Sequence, residues 1–356
     1  MLVERRCDID WVRVIAIGLL MVYHVAIVFQ PWGLMIGFMT NSEPWESIWL
    51  PMTMLNIWRI PILFFIAGMG VFFSFQNRNW KQLLKERVLR IGVPYLFGII
   101  TIVPLYLLIL QNYYDWKFQY LPHASHLWFL GNILCYVLLT ILPLHYLKRN
   151  PNSLFATRVR KLFSSPIVFP LIIACFITET IIVNPAIYEM YALTTHGFFL
   201  GWLAFIMGNL FAFSGDGFWR NLVKFRWFFL SLAVIFFMIR MKNYISFPIK
   251  INLPMETCFW VFTILAFAKR CLNFSHPLLT YSSKAAYPIY ILHMLFLGLS
   301  CCVILPLTIN VQLKFCFVLL GTFFGSLICY ELLIKRNKYL GLLFGITSAS
   351  VTPPKN

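Results

Sequence analysis

Three ionisable side chains, Asp10, Arg13 and His24, lie within the first long apolar stretch of the chain. Arg13 and His24 are eleven residues apart, which is ~16 Å along an α-helix and close to three turns, so both share one face. An imidazole can act as a general base or carry an acyl group as a nucleophile. The spacing therefore predicts a reaction site, with Asp10, Arg13 and His24 as catalytic candidates. The structural alternatives are an Arg13 that snorkels from a helix end and a His24 that bonds to a neighbouring helix.

Arg59 lies in the middle of the second apolar stretch, with Asn56 before it and Pro61 after it. Its expected depth is comparable with that of His24, where no short route to either surface exists for a snorkelling arginine. Such a residue is expected to have a function or an internal ion pair, and it is a fourth catalytic candidate. Pro61 removes a backbone donor and is expected to free a carbonyl close by.

Arg87 and Arg90 share one face where the third apolar stretch begins. A pair of guanidinium groups beside a cavity suits phosphate, because each can bind phosphate oxygens through two N–H groups. The two arginines are therefore candidates for binding a phosphorylated cofactor. The alternative is that they only anchor the helix end on the cytoplasmic side of a membrane.

Two aromatic and histidine-containing segments begin later apolar stretches. One contains His126 and Trp128, and the other contains Tyr290 and His293. Their Trp and Tyr side chains could also be residues of an interfacial aromatic belt. Four further ionisable residues lie near helix ends, where contact with interfacial water explains them; these are Glu179, His196, Glu256 and Glu331.

The elements that carry these residues are predicted to be membrane-spanning helices. Of the 356 residues, 60% are hydrophobic and only 12% are charged, whereas soluble domains have about 25% charged residues. The net charge of +17 comes from basic residues between the apolar stretches, which is typical of membrane-flanking charge and not of a nucleic-acid-binding face. Most of the nine cysteines lie in apolar stretches, so neither a disulfide framework nor a metal site is expected.

The apolar stretches are continuous and do not alternate, and only helices satisfy the backbone of such segments in lipid. The first is expected to be a retained span, because it contains Arg13 and His24 and no cleavage site follows it. The seventh and eighth stretches are short for full crossings. The ten predicted spans are residues 11–30, 48–75, 88–110, 126–147, 166–183, 196–213, 226–240, 254–268, 286–306 and 312–334.

The distribution of lysine and arginine predicts the orientation. With the N-terminus in the cytoplasm, 21 of them fall in inside segments, five in outside segments and three within spans. This bias satisfies the positive-inside rule. Residues 240–250 are the exception on the outer side. The predicted fold class is thus an all-α integral membrane protein with about ten transmembrane helices and cytoplasmic N- and C-termini.

One membrane domain is predicted over residues 8–335, with short cytoplasmic tails at 1–7 and 336–356. The chain after Leu343 is expected to be disordered. Two glycine pairs at helical spacing, Gly197 with Gly201 and Gly321 with Gly325, are typical of close helix packing and leave a homo-oligomer possible.

The order and spacing of these residues resemble the acyltransferase-3 family of membrane proteins over about residues 8 to 335. Arg13, ten residues and then His24 is similar to the family's Arg-x10-His signature. Further similarity lies in Arg59-Ile60-Pro61, in the basic run from Lys85 to Arg90, in the segment from His126 to Leu130, and in Tyr287-Pro288-Ile289-Tyr290 with His293. The chain resembles the stand-alone type, and both glucan succinyltransferases and lipopolysaccharide O-acetyltransferases are similar to it.

The resemblance implies an enzyme of the bacterial inner membrane that acylates an extracytoplasmic carbohydrate. Acetyl-CoA or succinyl-CoA would bind from the cytoplasm, its phosphates held by Arg87, Arg90 and Arg13. His24 would act as general base or acyl carrier, and Arg59 would hold the carbonyl oxygen or position an anionic group. His126, Trp128, Tyr290 and His293 would contact substrate.

The resemblance implies membrane lipid and a carbohydrate acceptor as partners, and no metal and no nucleic acid. The competing interpretation is a transporter or flippase, in which the same buried residues bind an anionic carbohydrate or lipid-linked substrate without chemistry. Against it, the sequence contains no evident inverted repeat of broken helices.

Overall fold

A computed structural model describes residues 6–242 and 249–346, and within them the regular structure is entirely helical. The predicted all-α class is therefore confirmed. Short 3₁₀ turns cover Gly33–Ile36, Glu46–Ile48 and Ser125–Leu127, and π-helical turns cover Val88–Gly92, Gly98–Ile102 and Tyr330–Ile334. The α-helices are α1 (Cys7–Val28), α2 (Trp49–Gln76), α3 (Trp80–Arg87), α4 (Val93–Phe97), α5 (Val103–Tyr113), α6 (Trp128–Arg149), α7 (Leu154–Phe163), α8 (Val168–Val183), α9 (Thr195–Ser214), α10 (Asp216–Lys224), α11 (Arg226–Lys242), α12 (Ile249–Cys271), α13 (Pro277–Ile304), α14 (Val311–Cys329) and α15 (Lys338–Leu343).

The protein is a multi-pass membrane protein with eight to ten candidate spans in its described part. Two further crossings would each require a bent helix pair, α7 with α8 at 98° and α10 with α11 at 59°. The prediction that the eighth span is short is wrong, because α12 has 23 residues; the short ones are α8, with 16 residues, and α11, with 17. The eight continuous spans are Cys7–Val28, Glu46–Gln76, Trp80–Tyr113, Ser125–Arg149, Thr195–Ser214, Lys250–Cys271, Pro277–Ile304 and Val311–Ile334.

The described residues form two compact units. The first contains residues 6–16, 56–84, 132–242 and 249–279, and the second contains residues 17–55, 85–131 and 280–346. Sequence analysis found no domain boundary, and the division explains why: each unit is assembled from segments that are far apart along the chain.

In the first unit, helices α2 and α9 cross with their backbones in direct contact. A methyl group added to Gly68 would overlap the carbonyl oxygen of Phe205, and one added to Gly208 would overlap the carbonyl oxygen of Phe65. Only glycine at both positions permits this approach, as in other close crossings of membrane helices. The predicted close packing at Gly201 is also confirmed, since a methyl group there would meet the Phe64 ring.

Pro61 frees a carbonyl in α2, as predicted. Proline has no N–H to donate to the carbonyl four residues earlier, which belongs to Ile57. The Ile57 oxygen instead accepts hydrogen bonds from the Tyr191 hydroxyl and the Thr257 hydroxyl, both at 3.1 Å. Tyr191 lies in the loop before α9, and burial raises its pKa well above the usual range, so its hydroxyl keeps the proton that it donates. The proline thus fixes the middle of α2 to α12 and to that loop.

Arg240 is buried in α11 and forms a two-point ion pair with the buried Glu256 of α12. Its Nε and Nη2 atoms lie 2.8 and 2.9 Å from the carboxylate oxygens, and Glu189 lies 3.7 Å away. Sequence analysis counted Arg240 among the outside loop charges and assigned Glu256 to interfacial solvation. Both interpretations are wrong, because the two charges neutralise each other inside the unit. Fewer basic residues of segment 240–250 therefore oppose the positive-inside rule.

In the second unit, proline residues explain two π-helical turns. Pro94 and Pro104 cannot donate to the carbonyls of Arg90 and Ile100, and the helix widens into a π-turn around each of those residues. The freed oxygen of Ile100 accepts a hydrogen bond of 2.8 Å from Tyr120, which fastens the loop after α5.

Lys314, also counted as an outside charge, is buried in α14. Its Nζ donates to the Leu305 carbonyl at 2.7 Å and to Asn41 Oδ1 at 3.3 Å.

The chain continues in ordered form past the predicted end of the membrane domain. Helix α15 falls in the predicted tail, and the buried Phe344 that follows packs edge-on against Phe97 of α4 at 5.4 Å. The prediction of disorder from Leu343 onward is wrong for residues 344–346. The rest of the tail, residues 347–356, lies outside the described residues.

Candidate active site

Two of the predicted site residues, His24 and His293, form a direct pair in the second unit. Their Nδ1 and Nε2 atoms are 2.8 Å apart, and their rings stack with centroids 5.1 Å apart and an interplanar angle of 12°. His24 is in the last two turns of α1, seventeen residues after its start. His293 is fully buried in α13, sixteen residues after its start. The structure thus joins two residues separated by 269 positions in the sequence.

The hydrogen-bond pattern assigns a tautomer to each of the two rings. His293 Nδ1 lies against the backbone carbonyl of Tyr290, which can only accept, so this nitrogen carries a proton. His293 Nε2 is then the acceptor, and His24 Nδ1 must donate to it. In neutral His24 the lone pair consequently belongs to Nε2. The arrangement orients His24 and leaves its second nitrogen chemically basic, as a general base or a nucleophile requires.

His126 and Tyr290 complete the cluster. The His126 ring meets the His293 ring edge-on at 5.1 Å, and the Tyr290 hydroxyl donates to the His126 carbonyl. His126 Nε2 lies 3.2 Å from the Ile291 carbonyl and therefore donates, which leaves its Nδ1 as an acceptor. That Nδ1 atom is buried and has no hydrogen-bond partner among the described residues. A buried orphan acceptor beside the histidine pair is suited to a hydroxyl donor from a substrate.

The remaining catalytic candidates lie in the first unit. Arg13 is 40% exposed and pairs with Asp10 at 2.8 Å, one turn earlier in α1. Arg59 is buried in α2, where its Nη2 lies 3.3 Å from Asn56 Oδ1. Trp128, a predicted substrate contact, is buried at the start of α6 in the second unit.

Arg87 and Arg90 flank a shared carboxylate. Arg90 donates to Glu86 Oε1 at 2.9 Å, and Arg87 Nε lies 3.7 Å from the other oxygen. Sequence analysis did not identify Glu86 as their partner, although the four-residue spacing from Glu86 to Arg90 is typical of helical ion pairs. A guanidinium group has five N–H donors, more than one carboxylate can accept, so pairing with Glu86 is compatible with binding a phosphate.

Sequence analysis also did not identify the pairing of His24 with His293 or the backbone carbonyl that orients it. The histidine motifs were recognisable separately, but no local signal links them. The carbonyl belongs to the residue three positions before His293, which is the ordinary reach of a helical side chain bonding back to its own helix.

Comparison with known proteins gives one match. A family model described as an acyltransferase domain, of the acyltransferase-3 type, matches residues 8–331, nearly the whole chain. No curated protein and no solved structure matches.

Proposed function

The chain belongs to the acyltransferase-3 family of membrane proteins and is a membrane acyltransferase, and from that premise we propose that it moves an acetyl or succinyl group from acyl-CoA to a carbohydrate hydroxyl. The observation that carries the proposal is the His24–His293 pair, in which His24 is oriented at one nitrogen and basic at the other. A binding site for transport does not require an oriented basic imidazole.

The chemistry that fits this pair is attack of a hydroxyl on a thioester. As the hydroxyl oxygen bonds to the thioester carbonyl carbon, His24 Nε2 takes the hydroxyl proton. The resulting imidazolium remains bonded through Nδ1–H to His293 Nε2, and the Tyr290 carbonyl supports His293 in turn. The carbon–sulfur bond then breaks, and the departing CoA sulfur takes the proton from His24.

A second route uses His24 Nε2 as the nucleophile. It attacks the thioester carbon, the carbon–sulfur bond breaks, CoA leaves as the thiolate, and an acyl-imidazolium forms that keeps its Nδ1 proton. The oxygen of the acceptor hydroxyl then bonds to the acyl carbon, the bond between that carbon and His24 breaks, and the hydroxyl proton neutralises the CoA thiolate. His126 supports either route, because its buried Nδ1 can accept a hydrogen bond from a neighbouring hydroxyl of the acceptor.

The donor is proposed to bind at Arg87 and Arg90, which the charge distribution predicts to lie on the cytoplasmic side, where acyl-CoA is made. The acceptor is proposed to be an extracytoplasmic carbohydrate such as a lipopolysaccharide, a surface polysaccharide or a periplasmic glucan. We propose that the protein lies in a bacterial inner membrane, in contact with lipid.

Radiolabel transfer tests the proposal directly. Membranes containing the protein, incubated with labelled acetyl-CoA or succinyl-CoA, should transfer label to carbohydrate, and His24→Ala membranes with equal protein content should not. General-base loss predicts a fall of ~10²–10⁴ in rate. Transfer that persists at a tenth of the wild-type rate in His24→Ala would overturn the role of His24.

A companion measurement separates the two routes and the competing function. Mass spectrometry after incubation without acceptor should detect acylated His24 if the acyl-imidazole forms. Uptake or flipping of an intact carbohydrate, with no label transferred from either acyl-CoA, would instead establish the transporter alternative.

A further inference from the structure

Helix α13 contains two hydroxyl groups that the fold leaves without hydrogen-bond partners. The hydroxyl oxygens of Ser283 and Tyr287 are buried, and neither has a partner among the described residues. The two residues are four positions apart, so they lie on one face of the helix. More than nine in ten buried polar groups in proteins are hydrogen-bonded, so two orphans on one helical face indicate a ligand.

Positively charged residues near Tyr287 indicate that this ligand is an anion. The charged groups that act on its hydroxyl are Arg90 and Arg87. A methyl group added to Gly345, in the segment after α15, would lie 2.6 Å from the Tyr287 ring and 2.7 Å from the Arg90 carbonyl. The Tyr287 ring and the backbone of the π-turn that carries Arg90 therefore both lie against the same glycine.

We propose that the hydroxyl groups of Tyr287 and Ser283 donate to a phosphate of the acyl-CoA donor, in one subsite with Arg87 and Arg90. The inference rests on the proposed function, since it assumes that acyl-CoA is the donor. A phosphate oxygen accepts several donors at once, so two guanidinium groups and two hydroxyls are chemically matched to it. Each hydroxyl adds one further donor to the N–H donors of the arginines.

The position of Tyr287 in α13 relates this subsite to the reaction centre. Tyr287 precedes His293 by six residues, which is ~9 Å along the helix axis. One rigid helix would thus bind the phosphate end of the donor and orient the histidine pair. The arm of the donor would follow α13 between the two positions.

The test uses the full-length protein in detergent or nanodiscs, with radiolabelled CoA and S-acetylpantetheine, which lacks every phosphate of CoA, as probes. The Tyr287→Phe variant removes one oxygen and keeps the ring. The Ser283→Ala variant tests the second hydroxyl. Tyr281→Phe is the matched control, because Tyr281 lies on the same helix and its hydroxyl already donates to Glu331 at 2.7 Å.

Tyr287→Phe should weaken CoA binding about tenfold or more, the usual effect of losing a hydrogen bond to a charged group. Ser283→Ala should weaken it in the same direction, and Tyr281→Phe should not weaken it. Binding of S-acetylpantetheine should be the same in all variants. The melting temperature of the empty protein should not fall in Tyr287→Phe, because an unsatisfied hydroxyl is removed, whereas Tyr281→Phe should lower it.

Wild-type CoA affinity in Tyr287→Phe would overturn the inference, and so would an equal loss in Tyr281→Phe. Equal weakening of S-acetylpantetheine binding would exclude a phosphate as the ligand. If wild-type protein does not bind CoA, the proposed donor is wrong. If CoA binds and only the Tyr287 effect is missing, the proposed function stands and this subsite does not.

Discussion

The hydrogen bond between His24 and His293 should contribute to the rate of acyl transfer and not to donor binding. In the His293→Phe variant a ring remains, but the nitrogen that accepts the His24 Nδ1–H bond at 2.8 Å is lost. That bond strengthens when His24 becomes charged, and hydrogen bonds to charged groups contribute ~1.5–3 kcal/mol. At 1.36 kcal/mol per factor of ten, kcat should fall by about 10- to 150-fold. The KM for acyl-CoA should stay unchanged, because the change affects the transition state.

The assay is initial-rate transfer of labelled acetyl or succinyl groups in nanodiscs with known protein content. A double variant, His24→Ala with His293→Phe, should be no slower than His24→Ala alone, because His293 acts through His24. The matched control is His196→Phe. His196 is another fully buried histidine, paired with Glu179 at 3.0 Å in the first unit, and its replacement measures the general effect of losing such a residue.

Three results would refute this reasoning. The first is a wild-type kcat in His293→Phe. The second is losses that multiply in the double variant, since they would mean that His293 acts independently of His24. The third is an equal loss in His196→Phe, which would mean that the effect comes from disturbed folding.

Three other expectations can be tested. Arg240→Ala should destabilise the protein by about 3–5 kcal/mol, because it leaves Glu256 buried without its ion pair. The double variant Arg240→Met with Glu256→Leu should recover most of the lost stability, measured as the unfolding temperature, and an Arg240→Ala variant as stable as wild type would contradict this. Gly68→Ala should lower the stability of the protein by about 1–3 kcal/mol or more, because the added methyl overlaps the α9 backbone. In the control Gly70→Ala nothing lies within 4 Å of the added methyl, so this variant should be as stable as wild type or more stable by up to about 1 kcal/mol. Equal melting temperatures of the two variants would refute the packing argument. In a variant without the native cysteines, Asn152→Cys should react with an impermeant thiol reagent only after the membrane is opened, because its loop is predicted to be cytoplasmic. Labelling in intact cells would mean that the orientation is the reverse.

Local patterns in the sequence predicted much of this fold. Long apolar stretches specify helices because lipid offers no backbone partners. The effect of Pro61 was also predictable, since proline removes a donor wherever it occurs in a helix. The bends between α7 and α8 and between α10 and α11 were not predicted, because hydropathy measures how apolar a segment is and not where its axis turns.

Contacts between distant segments account for what the sequence could not predict. His24 and His293 were both recognised, but their hydrogen bond joins two helices across a sequence separation of 269 residues. Arg240 was interpreted as a loop charge, because burial with Glu256 becomes visible only when α11 and α12 are placed side by side. The roles of Arg13, Arg59, Arg87 and Arg90 remain predictions, because positions in a helix do not identify a bound substrate.

The glycine crossing of α2 and α9 has a mechanical consequence. Side chains between two helices can change rotamer and let the helices slide by small amounts, but Gly68 and Gly208 place backbone against backbone. The next equivalent register along an α-helix is a whole turn away, ~5.4 Å, with no intermediate position of comparable packing. The two hydroxyl contacts of the Ile57 oxygen, which Pro61 frees, add a second fixed point on α2 about two to three turns before the crossing. This part of the first unit is therefore expected to keep one shape throughout a catalytic cycle, and admission of substrates would depend on elements with softer contacts.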